Sequence, residues 1–116
     1  MLVGKGRRVA FAIPMRNAAA DPRRCYRFDD AEHIGIRQWL RRGAPALRIV
    51  GVYHSHPRSA AWPSPTDRAE ANYPEWLYVI AGRTRVRFAV RGFRIRSRAA
   101  QEVSLRPDPE RPRPTR

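Results

Sequence analysis

The sequence predicts an α/β fold built on a mixed β-sheet, and three observations predict it. Short apolar or alternating runs recur along the chain, bounded by Gly and Pro as strands are. One stretch between the early and middle runs carries a helix-start signal followed by apolar residues at helical spacing. A second helix start follows the central run. Strand-like and helix-like stretches therefore alternate, the pattern of an α/β domain.

The elements follow in order. Residues 8–14 alternate Val9, Phe11 and Ile13 with small residues and read as a strand. Residues 2–4 read as the end of another, joined to it by a hairpin turn at Gly4, Lys5 and Gly6. Residues 16–22 read as a loop and 25–28 as a short extended piece. Asp29, with Glu32 three residues on, forms a capping box that opens a helix. Ile36, Trp39 and Leu40 then recur at i, i+3 and i+4, a buried stripe, and Gly43 ends the helix.

Residues 47–53 are apolar, with no room for a helix after Pro45, and read as a central strand. Ser64 and Pro65 open a second helix, short and polar, that ends before Pro74. Residues 76–81 form another buried strand. Residues 86–90 and 93–95 read as an alternating hairpin around Arg91 and Gly92, and 103–105 close the sheet. Residues 106–116 place a proline at every second or third position and offer no core-forming side chain, so a disordered Pro/Arg-rich tail is expected after a domain of residues 1–105.

At 116 residues the chain is one domain, large enough for a core without disulfides or a structural metal. Cys25 is the only cysteine and has no internal partner, which fits a reducing cytoplasm. No apolar run approaches the length of a membrane span, and the first residues lack the apolar core of a secretory signal. A cytoplasmic location is expected.

The net charge is +14, with 24 basic residues against 10 acidic ones. Such a surface attracts nucleic acid, anionic lipid or an acidic protein. Lys5 is the only lysine, and the arginines are spread along the chain without the interleaved aromatic residues of a base-stacking platform. An acidic protein partner is favoured over nucleic acid.

The chemistry concentrates in one stretch. His54 and His56 are followed after seven residues by Ser64, and Asp67 lies three residues further on. Two histidines at i and i+2 of a strand point to one face, where they can chelate a single cation. Imidazole nitrogens with a carboxylate suit zinc, and three protein ligands leave the fourth position open, as in catalytic sites. A surface histidine pair is the plain alternative. Ser64 and Asp67 also have a structural reading, as N-cap and N3 of a capping box with Pro65 at N1. Both readings can hold together, although an Asp67 that binds metal is not expected to reach back to the cap as well.

His54-Ser55-His56-Pro57 with Ser64-Pro65-Thr66-Asp67 resembles the JAMM motif of the MPN/Mov34 metallopeptidases, in the small bacterial subfamily. The resemblance runs from about Leu2 to Leu105. It implies a three-layer α/β fold similar to cytidine deaminases, with helices flanking a mixed sheet. It also implies a zinc peptidase that cuts peptide or isopeptide bonds at the C-terminus of small ubiquitin-like or sulfur-carrier proteins. His54, His56 and Asp67 would be the zinc ligands, and Ser64 would donate a hydrogen bond to the oxyanion. The family's catalytic Glu lies just before the strand that matches Leu2, Val3 and Gly4, ahead of Met1. Two readings stay open: a start upstream that supplies this Glu and completes the first strand and the helix before it, or a non-catalytic zinc-binding module of the same fold.

Overall fold

A computed structural model describes residues 1–15, 28–56 and 58–108. Among these residues six strands and two helices follow in the order β1 (Leu2–Lys5), β2 (Arg8–Ala12), α1 (Asp30–Gly43), β3 (Arg48–His56), α2 (Pro65–Ala69), β4 (Leu77–Arg83), β5 (Phe88–Arg96) and β6 (Ala99–Val103). The strands form one sheet in the order β2-β1-β3-β4-β5-β6. Only β3 and β4 run parallel; every other neighbouring pair is antiparallel. The mixed-sheet α/β class is the one expected.

The core lies on one face of this sheet. Val52 of β3, Tyr78 and Ile80 of β4, and Phe93 and Ile95 of β5 share it, with Leu40 of α1 packed above. A register shift between β1 and β3 brings Val3 and Ile49 into the same cluster. His54 and His56 follow Val52 at two-residue intervals on that face. Both described helices lie on this side, so of the three layers expected the described residues show the sheet and one helical layer.

The first helix begins as expected, for the Asp29 side chain accepts a hydrogen bond from the Glu32 N–H at 3.0 Å. Its stripe is narrower than the spacing suggested. Leu40 is buried and Ile36 half-buried, but Trp39 is 56% exposed. Residue 39 sits about 100° round the helix from 40, and only the Ile36–Leu40 edge meets the sheet.

Two strand assignments change. The hairpin expected around Arg91 and Gly92 is absent; β5 runs unbroken through both, and Gly92 pairs with Val79 and Val103. The chain turns instead at residues 84–87 and again at Ser97 and Arg98, whose φ angles of 49° and 65° form a tight left-handed corner. The last strand accordingly starts at Ala99 and ends at Val103, earlier than the 103–105 segment expected to close the sheet. The loop at 16–22 and residues 25–27 of the extended piece lie outside the described residues, as does most of the tail. Asp108, within the expected tail, pairs with Arg8 at 3.3 Å. Among the described residues, no helix is long and apolar enough to cross a membrane.

Candidate metal centre

β3 delivers His54 and His56 at its C-terminal end, and α2 delivers Asp67 from its first turn. The short helix is held at its start by a complete capping box. Ser64 Oγ accepts from the Asp67 N–H at 3.0 Å, and Asp67 Oδ2 accepts from the Ser64 N–H at 2.9 Å. Pro65 occupies the first helical position, where its missing N–H is no loss. The box fixes Asp67 with its side chain turned back over the strand end.

The three side chains converge. His56 Nε2 lies 3.0 Å from Asp67 Oδ2, His54 Nε2 lies 3.4 Å from Asp67 Oδ1, and the two Nε2 atoms are 3.3 Å apart. All three side chains are largely buried, Asp67 most of all. Burial by itself raises the Asp67 pKa, but hydrogen bonds from His54 and from the Ser64 backbone outweigh it and bring the carboxyl down to about 2. Asp67 is therefore an anion at neutral pH.

The orientation of His56 is set from behind. Its Nδ1 is 3.0 Å from the Ala60 carbonyl, which can only accept, so Nδ1 carries the proton and the neutral ring keeps its lone pair on Nε2. That lone pair faces a carboxylate oxygen and a second imidazole nitrogen. Electron-rich atoms at such separations are held together by a shared cation, a proton or a metal ion. Zinc–ligand distances of about 2.0–2.1 Å in a tetrahedral shell place ligand atoms about 3.3 Å apart, close to the spacings found here. The donor set and its geometry fit zinc.

The loop between the histidines and Ser64 is fastened to β4. The Arg83 N–H donates to the Ser59 carbonyl at 2.7 Å. A Cβ at Gly82 would lie 2.1 Å from the Ala61 nitrogen, so only glycine lets the loop backbone seat there. Ala61 is buried beneath, and Trp62 meets the buried ring of Phe93 edge-on at 5.1 Å.

The structure thus brings together His54, His56, Ser64 and Asp67. The Asp67 carboxylate reaches the cap and the histidines at once. A carboxylate oxygen has two lone pairs, and Oδ2 accepts from Ser64 while facing His56. The Ala60 carbonyl and Gly82 escaped the sequence reading. Gly82, directly after the apolar 77–81 run, was the available signal, because a glycine in a strand marks close backbone approach.

Residues 1–96 match the family described as prokaryotic homologs of the JAB domain. The chain belongs to this family. Its JAB domain is 40% identical over 74 residues to a desampylase of Haloferax volcanii, covering 64% of this chain and 52% of that protein. It is 36% identical over 81 residues to a probable TtuB-protein conjugate cleaving protease of Thermus thermophilus, covering 70% and 53%. It is 35% identical over 91 residues to a CysO-cysteine peptidase of Mycobacterium tuberculosis, covering 78% and 60%. The chain thus spans about half to three-fifths of the length of these relatives. Among solved structures, a protein from Desulfitobacterium hafniense superposes with a TM-score of 0.68 at 24% identity, over 88% of this chain and 71% of that one. A protein from Salinibacter ruber does so at 0.59 and 30% identity, over 96% and 78%. Both share the fold of the JAB domain.

Proposed function

We propose that this JAB domain is a zinc hydrolase that cuts a peptide or isopeptide bond at the C-terminus of a small ubiquitin-like or sulfur-carrier protein. The observation that carries the reading is the convergence of His54 Nε2, His56 Nε2 and Asp67 on one point, at spacings that suit a tetrahedral ion. The names of the relatives, a desampylase, a TtuB-protein conjugate cleaving protease and a CysO-cysteine peptidase, support this substrate class.

His54, His56 and Asp67 are the ligands in this reading. Zinc held there supplies a Lewis acid that polarises a carbonyl and makes water nucleophilic near neutral pH. The chain's own residues do the rest. The Ala60 carbonyl holds the His56 proton on Nδ1, so the ring stays oriented through the reaction. Ser64 Oγ accepts from the Asp67 N–H, which leaves its hydroxyl hydrogen to donate to a developing oxyanion. The Ser64 N–H spends itself on the Asp67 carboxylate and holds that anion in place.

Metal analysis tests the site first. Purified protein is expected to hold about one zinc per chain, and His56→Ala to hold none while keeping its fold by circular dichroism. Equal zinc content in the two proteins would refute the assignment. Hydrolysis is tested on a Gly-Gly-linked conjugate with the zinc-loaded protein.

A second reading, a JAB-like module that binds zinc without hydrolysis, has one observation in its favour. Among the described residues, Asp67 is the only carboxylate in the histidine cluster, and it is already engaged with His56 and with the helix cap. Zinc uptake with the conjugate left intact selects this reading.

A further inference from the structure

The turn between β4 and β5 is an ordered prong. Thr84 closes it from both sides: its N–H and its hydroxyl each donate to the Arg87 carbonyl at 2.7 Å, and its Oγ1 accepts from the Arg87 N–H at 3.1 Å. The clasp holds Arg85, Val86 and Arg87 outward. Val86 is 91% exposed, the most exposed large apolar side chain of the described residues, and Phe88 and Val90 behind it are each more than half exposed. Arg83, Arg85 and Arg87 flank these apolar groups, and among the described residues none of the three meets a carboxylate. Val86, Phe88 and Val90 with the three arginines make a mixed apolar and cationic surface at this tip.

Its position relates it to the metal centre. β3 and β4 run parallel with Gly82 level with His56, so the prong leaves the sheet at the same end as the zinc ligands. Val86 lies four residues beyond Gly82, within roughly 14 Å along the strand direction. A folded protein whose C-terminal tail reaches the histidines must rest its body near that end of the sheet.

We propose that the Arg83–Phe88 prong is the docking element for the folded body of an acidic ubiquitin-like protein, with Val86 entering an apolar hollow and the arginines meeting carboxylates on its rim. The proposal rests on the hydrolase reading for the class of partner, and on the prong for the place. The net charge of +14 steers an acidic body toward the protein from any side, whereas the prong gives the contact a register. Because the clasp fixes the tip beforehand, little conformational entropy is lost on docking. The tip is aliphatic apart from Phe88, which suits a hollow in a protein better than a stack of bases.

The test compares two charge reversals of equal size on the zinc-loaded protein. Arg85→Glu/Arg87→Glu alters the prong; Arg41→Glu/Arg42→Glu alters the exposed last turn of α1, at the other end of β3. Binding is measured by calorimetry with CysO and with TtuB, the two proteins named with its relatives, and with a duplex DNA. The prong variant is expected to weaken binding to the better of the two by on the order of tenfold or more, and the helix variant by less than about threefold. Val86→Asp alone is expected to weaken it by a similar factor. Equal losses in the two double variants, no loss in either, or no binding of the wild type to either protein overturns the proposal. Binding to DNA alone, lost in the prong variant, reassigns the prong to nucleic acid. Cleavage of a CysO conjugate and of a short Gly-Gly peptide amide is followed in parallel. No cleavage of either by wild type sinks the hydrolase reading; cleavage of both with unaltered KM in the prong variant sinks only the docking proposal.

Discussion

The metal corner and the first helix are held by different physics. Between His54 and Asp67 the chain is cross-braced by directed contacts: the Ala60 carbonyl on His56, the Ser59 carbonyl on Arg83, the reciprocal cap of Ser64 and Asp67, and the backbone seated on Gly82. Few of these depend on apolar area. α1 relies instead on side-chain packing, with His33 set against the Tyr73 and Trp76 rings and Arg37 over Tyr73. Beyond its caps it presses Leu40 and the edge of Ile36 onto the sheet and leaves Ile34 and Trp39 more than half exposed. Hydrophobic burial is non-directional and tolerates small shifts, whereas a ligand set must be placed to within fractions of an ångström. The candidate metal site is accordingly the one built from hydrogen bonds and steric stops.

The contrast can be broken most sharply at Gly82. Gly82→Ala forces a Cβ into the loop backbone, so we expect a loss on the order of 3 kcal/mol. Zinc affinity should fall with it, because the Ala60 carbonyl moves away from His56. Chemical denaturation and a chelator competition read the two effects, and an unchanged zinc affinity would show that the loop does not orient the histidine. Ser64→Ala comes next. Losing the cap acceptor is expected to lower stability by about 1 kcal/mol. Zinc content should persist, and turnover of a cleavable conjugate should drop by on the order of a hundredfold. The smallest effect belongs to the helix: Trp39→Ser should change stability by no more than about 0.5 kcal/mol. A larger loss in thermal unfolding would mean that the exposed ring is packed in solution.

What could be read from the sequence follows the range of each interaction. His54, His56, Ser64 and Asp67 were legible because their geometry is local: i, i+2 along a strand and i, i+3 across a helix start are fixed by backbone period alone. Asp29 was legible for the same reason. The turn at Ser97 and Arg98 was not, since two positive φ angles normally call for Asn or Gly, and Arg91-Gly92 offered a more familiar signal. Trp39 misled because an apolar stripe says which residues could be buried, not how wide a surface the partner presents. The seating of the Ala60–Ala61 backbone on Gly82 joins loop to strand across about twenty residues, and no period in a single sequence encodes such a meeting.

The shared oxygen of Asp67 has an evolutionary consequence. An asparagine there could still accept from Ser64 through its amide oxygen and keep the helix start, while losing the charge that makes the triad attractive to a cation. One base change could thus remove the proposed cation site and leave the domain foldable. A lineage can retire such a site without discarding its scaffold, and the histidines left behind would look unaltered in every respect but their neighbour.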